Sequence, residues 1–187
     1  MATTADFRVG MVIKFNGELH RIEEYIHRTP GNLRAFVQAK LRNLKTGRIT
    51  ETRYRSGEEV EEVRLEQKEF TYLYHDGASF QVMDKESYEQ MPVSPAALGE
   101  GSKFLKEGET VVLFMDGHDV ISSEIPFNVE LKVVETVPGV KGDTASGATK
   151  PAKVETGAMI NVPLFINEGD TIRVDTRSGE YLERVKN

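Results

Sequence analysis

Cysteine is absent from this 187-residue chain, which excludes disulfide bonds, thiolate nucleophiles and cysteine-based zinc sites. Only four histidines remain as soft ligands. His20, His27, His75 and His118 share no ligand spacing, so neither a metal nor another cofactor is expected. Long apolar runs are missing too: stretches such as residues 111–115 fall far short of the roughly 20 residues that a membrane-spanning helix needs. The opening Met-Ala-Thr-Thr-Ala-Asp-Phe-Arg has neither the basic region nor the apolar core of a secretion signal. The expectation is a cytoplasmic protein with no membrane partner. There is no Gly-x-Ser-x-Gly elbow, no Gly-x-x-x-x-Gly-Lys-Ser/Thr loop and no His-Glu-x-x-His pair, so nothing marks an enzyme. What is present suffices for folding: 39% hydrophobic and 29% charged residues are close to the globular average.

The net charge of −6 conceals an asymmetry. Residues 1–57 carry 11 Lys or Arg against 5 Asp or Glu, whereas residues 58–187 carry 13 against 25. A basic end on an acidic protein points to an N-terminal module that meets a polyanion, most simply nucleic acid. Chance segregation of surface charge gives the same counts. The run Glu58, Glu59, Glu61 and Glu62 could chelate a cation, but a solvated junction between modules is the simpler reading.

Almost every segment alternates with period two and is broken by turn dipeptides, while no amphipathic helix of ordinary length is visible, so the fold class is all-β. Residues 11–15 and 19–26 flank Asn16-Gly17, whose tolerance of positive φ makes a tight hairpin turn. A second hairpin joins residues 24–27 to 35–41 through Thr29-Pro30-Gly31-Asn32-Leu33-Arg34, where Pro30 fixes φ and Gly31 permits a sharp reversal. Its tip should project. Lys45-Thr46-Gly47-Arg48 turns the chain again, and the first module closes near residue 64. Further on, Phe104-Leu105-Lys106-Glu107-Gly108-Glu109-Thr110-Val111 matches Phe165-Ile166-Asn167-Glu168-Gly169-Asp170-Thr171-Ile172 at an offset of 61. Two copies of one five-stranded β-module, each the size of an OB-fold barrel, therefore follow the first. The predicted boundaries are 1–64, 65–128 and 129–187. Residues 94–101 read as a connector with a single helical turn between Pro95 and Gly99. Residues 138–151, rich in Gly, Ala, Ser and Thr, read as an exposed loop that either merely connects or binds something.

Several segments resemble one family. Gly142-Asp143-Thr144, Lys150-Pro151-Ala152, Thr156-Gly157-Ala158, Val162-Pro163-Leu164-Phe165 and Val174-Asp175-Thr176-Arg177-Ser178-Gly179-Glu180-Tyr181 are similar to the signature region of the elongation factor P family. Lys40-Leu41-Arg42-Asn43-Leu44, Tyr72-Leu73-Tyr74 with Asp76-Gly77, and Phe127-Asn128-Val129-Glu130-Leu131 extend the resemblance over essentially the whole chain. It implies an SH3-like (KOW-like) N-terminal domain followed by two OB-fold domains in an L-shaped, tRNA-like arrangement. It further implies a monomeric, non-enzymatic factor that contacts both subunits of the 70S ribosome between the peptidyl and exit sites. There it would help peptide-bond formation at consecutive prolines. The hairpin tip, Pro30, Gly31, Asn32, Leu33 and Arg34, is then the loop that reaches the acceptor end of the peptidyl-tRNA. Arg28 and Arg34 would contact phosphate, or are simply solvated hairpin residues.

The resemblance also assigns Gly142, Asp143, Thr144 and Gly147 to contact near the exit-site codon, and Tyr181 and Arg184 to tRNA or ribosome contact. The alternative for the last pair is a core tyrosine and a surface arginine. One departure stands out: many members carry a modifiable Lys or Arg at the position of Asn32, and this loop has no lysine. Other readings are an elongation factor P-like paralogue and a general OB-fold nucleic-acid-binding protein.

Overall fold

The computed structural model describes residues 2–31, 34–139 and 147–185. Three antiparallel sheets, each curled into a half-barrel, make up the all-β fold. Packing divides the chain into two compact units, residues 1–67 with 114–122 and residues 68–113 with 123–187.

The first sheet comprises β1 (Ala2–Thr3), β2 (Val12–Phe15), β3 (Glu18–Arg28), β4 (Phe36–Asn43), β5 (Ile49–Arg55) and β6 (Glu59–Glu62), in the order β1-β6-β2-β3-β4-β5. Asn16 at φ 52° and Gly17 at φ 81° make the tight turn expected between β2 and β3. Alternation sorts β4 into two faces: Val37, Ala39 and Leu41 are buried with Phe7, Met11, Ile13, Ile22 and Tyr54, while Phe36, Gln38 and Lys40 lie on the other face. Three of the four acids of the run are engaged within the first module. Glu62 pairs with Arg8 at 2.6 Å, Glu61 with Lys14 at 3.6 Å, and Glu58 accepts the Arg55 N–H at 2.7 Å.

The second sheet contains β7 (Glu66–His75), β8 (Phe80–Asp84), β9 (Gln90–Val93), β10 (Thr110–Asp116) and β11 (Asp119–Glu124); the third contains β12 (Asn128–Thr136), β13 (Thr149–Val154), β14 (Met159–Pro163), β15 (Thr171–Asp175) and β16 (Tyr181–Arg184). Their orders, β11-β10-β7-β8-β9 and β14-β13-β12-β15-β16, are the same topology once the second is read from β16. The offset of 61 holds at the level of single hydrogen bonds. Tyr72 N–H donates to Glu109 O and Val133 N–H to Asp170 O, both at 2.8 Å; Gly108 and Gly169 return bonds to Tyr72 O and Val133 O at 2.8 and 2.9 Å. Gly108 and Gly169 have φ of 90° and 89°, a turn conformation that favours glycine at both places. A β-bulge falls between Tyr72 and Tyr74 in one copy and between Val133 and Glu135 in the other. The duplicated octapeptide thus encodes a duplicated structure.

The connector forms the short helix α1 (Pro95–Leu98), capped by Ser94 and ended by Gly99 at φ 82°, followed by a 3-10 turn over Glu100–Phe104. This turn is seated tightly in the second unit. Phe104 is buried among Val129, Leu131, Val133, Val174 and their neighbours, and a Cβ on Gly101 would stand 2.7 Å from the Thr176 carbonyl oxygen and 2.6 Å from Ile125 Cδ1. A methyl group there must displace backbone, so Gly101→Ala is expected to destabilise the protein by about 1–3 kcal/mol, measured by chemical denaturation.

Candidate nucleic-acid interface

The hairpin of β3 and β4 is the longest pairing in the first sheet, running from His20 opposite Asn43 out to Arg28 opposite Phe36. Two of its cations have carboxylate partners. Near the base Arg42 pairs with Glu23 at 2.9 Å and Lys40 with Glu24 at 2.7 Å, and Gln38 donates to Glu51 at 3.2 Å. Toward the tip the carboxylates stop. Arg28 and Arg34 are exposed, and neither has an ion-pair partner among the described residues. A cation without a neighbouring carboxylate keeps its full attraction for an external anion, and Arg28 and Arg34 both meet that condition.

Pro30 is half-buried at the shoulder of the tip. The φ of Gly31 lies outside the left-handed region, and a Cβ built on it meets nothing within 4 Å. Asn32 and Leu33 lie outside the described residues.

In the second unit, Gly142, Asp143 and Thr144 also lie outside the described residues, while Gly147 takes φ 97°. The expected loop is shorter than its composition suggested, because Thr149, Lys150 and Pro151 open β13. A clasp explains this. Lys150 is buried and its Nζ donates to Val137 O at 2.8 Å, while Thr136 Oγ1 donates to Pro151 O at 2.9 Å, joining the two stems. Pro151 fits in a strand here because β12 stops pairing at Thr136, opposite Ala152, so no ladder bond is lost.

Tyr181 and Arg184 part company. Tyr181 packs on the apolar core of the third sheet. Arg184 lies over the exposed ring of Phe165, 5.6 Å from its centre, and 3.9 Å from Asp170. The turn before them is fixed by Asp175, whose carboxyl is lowered to about 2, first by the hydrogen bond from the Arg177 side chain and then by the Arg177 N–H. The tip belongs to the first unit, and Gly147, Tyr181 and Arg184 to the second. Among the described residues no three His, Asp or Glu are grouped as metal ligands, and no helix is long and apolar enough to cross a membrane. Sequence reasoning left Lys150 in a loop and gave Arg53 and Arg55 no role. The alternation Arg-Tyr-Arg around a core tyrosine was the available signal for the second pair.

Comparison with known proteins covers the chain in order. The elongation factor P KOW-like domain matches residues 3–60, the elongation factor P OB domain residues 65–123, and the C-terminal region of elongation factor P residues 129–184. Elongation factor P of Chloroherpeton thalassium is 51% identical over 187 residues, 100% of both chains. That of Chloroflexus aggregans is 50% identical over 185 residues, 98% of each chain. Among solved structures, translation initiation factor 5A from Methanococcus jannaschii superposes with a TM-score of 0.52 at 18% identity, covering 67% of this chain and 90% of that one. A translation initiation factor 5A family protein from Naegleria fowleri gives 0.52 at 12% identity, over 66% and 96%. At these identities the structural likeness is one of fold.

Proposed function

This chain belongs to the elongation factor P family of translation elongation factors, and from that premise we propose that it binds the 70S ribosome between the peptidyl and exit sites and speeds peptide-bond formation at consecutive prolines. The observation that carries the reading is that Arg28 and Arg34 at the end of the hairpin have no carboxylate partner among the described residues, whereas Lys40 and Arg42 nearer its base are paired. Pro30, Gly31, Asn32, Leu33 and Arg34 meet the acceptor end of the peptidyl-tRNA, and Arg28 steadies it through phosphate. Gly142, Asp143, Thr144 and Gly147 approach the small subunit, where small residues let backbone come close to RNA. Arg184 on its Phe165 platform supplies a further contact. The factor acts in the cytoplasm as a monomer of three modules, 1–64, 65–128 and 129–187, without a cofactor.

The chemistry asked of it is orientation. Proline is a poor nucleophile in poor geometry, and holding the acceptor end in place restores alignment without a proton-transfer group. Asn32 suits that task unmodified, since it both donates and accepts hydrogen bonds. The test is a reporter with a Pro-Pro-Pro stretch beside one without, translated with and without the purified protein. A selective gain in the proline reporter is expected; equal effects on both reporters sink the proposal.

A further inference from the structure

β5 is an outer strand of the first sheet, and two of its residues share the solvent face with the base of the hairpin tip. The register sets Arg28 opposite Phe36 and Phe36 opposite Arg55, and in the neighbouring row Ile26 opposite Gln38 and Gln38 opposite Arg53. Cross-strand partners point to one side. That side is turned away from the core, since the intervening Val37 and Tyr54 are buried. The Arg53 guanidinium lies over the Phe36 ring, 4.3 Å from its centre. Stacked this way its plane is occupied while its N–H edge stays free for a ligand. Among the described residues neither Arg53 nor Arg55 has an ion-pair partner, although the same face pairs Lys40 with Glu24 lower down.

The backbone adds to this. Ser56 N–H donates to Ala35 O at 3.2 Å, and antiparallel alternation then directs the Tyr54 backbone to β4 and those of Arg53 and Arg55 to the open edge. Arg55 N–H is taken by Glu58; Arg53 N–H faces outward. With Pro30, Arg34 and Ser56, these residues line a cleft of about 740 Å³.

We propose that Arg53 and Arg55, with Phe36 as the platform for Arg53, form a second RNA-phosphate contact that is continuous with the hairpin tip and grips two neighbouring phosphates of one strand. Side chains two apart on a strand stand roughly 7 Å from each other, close to the separation of adjacent phosphates. Planar forks match phosphate oxygens, whereas Lys40 and Arg42 nearer the base are already supplied with carboxylate partners. The site rests on the ribosome-binding reading above and enlarges it from a loop tip to a face.

The experiment measures affinity of the full chain for ribosomes carrying peptidyl-tRNA across a salt series. Arg53→Gln with Arg55→Gln is expected to flatten the slope of log affinity against log salt by about 1.4–1.8, two phosphates' worth. The Arg53→Lys, Arg55→Lys pair keeps the slope. Phe36→Leu weakens binding roughly 2- to 5-fold with the slope unchanged. If the Gln pair melts early, each single variant is read instead, with an expected flattening of about 0.7–0.9. An unchanged slope in the Gln variants overturns this contact while leaving the function standing. A wild-type chain that does not bind ribosomes overturns the function itself, and this contact with it.

Discussion

Phe104→Ala is expected to lower the stability of the second unit by about 3–5 kcal/mol, the cost of emptying a large buried site that cannot collapse. The ring is 2% exposed and is surrounded by side chains from β12 to β15. Gly179 lies close beneath it: a Cβ there would stand 3.1 Å from the ring, and the residue holds φ 73°. The surroundings are β-strands tied by ladder bonds, so they cannot move in to fill the gap. The internal control is the equivalent residue of the repeat. Phe165 is 58% exposed, so Phe165→Ala is expected to change stability by no more than about 1 kcal/mol, the range of its single cation–π contact. Guanidinium unfolding of the two variants side by side decides the matter. Similar losses at both positions would contradict the burial argument.

The largest functional effect is expected from shortening the hairpin. Removing residues 31–33 takes away the part of the proposed tip that meets the acceptor end, while β3 and β4 remain paired from His20 to Arg28. On the proposed mechanism the rate of Pro-Pro bond formation on stalled ribosomes falls roughly 10- to 100-fold, because a small misplacement of reacting groups carries that penalty. Binding changes little, since the contacts of the second unit are untouched. Asn32→Lys is expected to retain most of the rate. Single-turnover measurements with binding followed separately test the split: a shortened hairpin that keeps its full rate removes the tip from the mechanism.

The hairpins and the duplication were legible because their signals are local. Asn16-Gly17 dictates its own turn, and Glu107-Gly108-Glu109 or Glu168-Gly169-Asp170 places a glycine where φ near 90° is needed. The fates of Phe104 and Phe165 were not legible. The same octapeptide context leaves one ring buried and the other in solvent, and only the presence of a following core distinguishes them. Lys150 misled for a similar reason: its polar, Gly-rich surroundings suggested a loop, but its ammonium is satisfied by a carbonyl 13 residues away. The basic character of the first module could be counted in the sequence, whereas which of its cations have carboxylate partners depends on the register of the fold.

The seat of Phe104 also fixes an order of events during synthesis. The ring leaves the ribosome well before its surroundings are complete, for Tyr181, the last described side chain packed against that core, lies 77 residues later. At about 5–20 residues per second this is an interval of roughly 4–15 s. The first sheet has no such delay, since all six of its strands are complete by Glu62. The nascent chain therefore carries a finished N-terminal sheet ahead of a first repeat that, though fully made, must wait with a phenyl ring unhoused until its own duplicate has been translated.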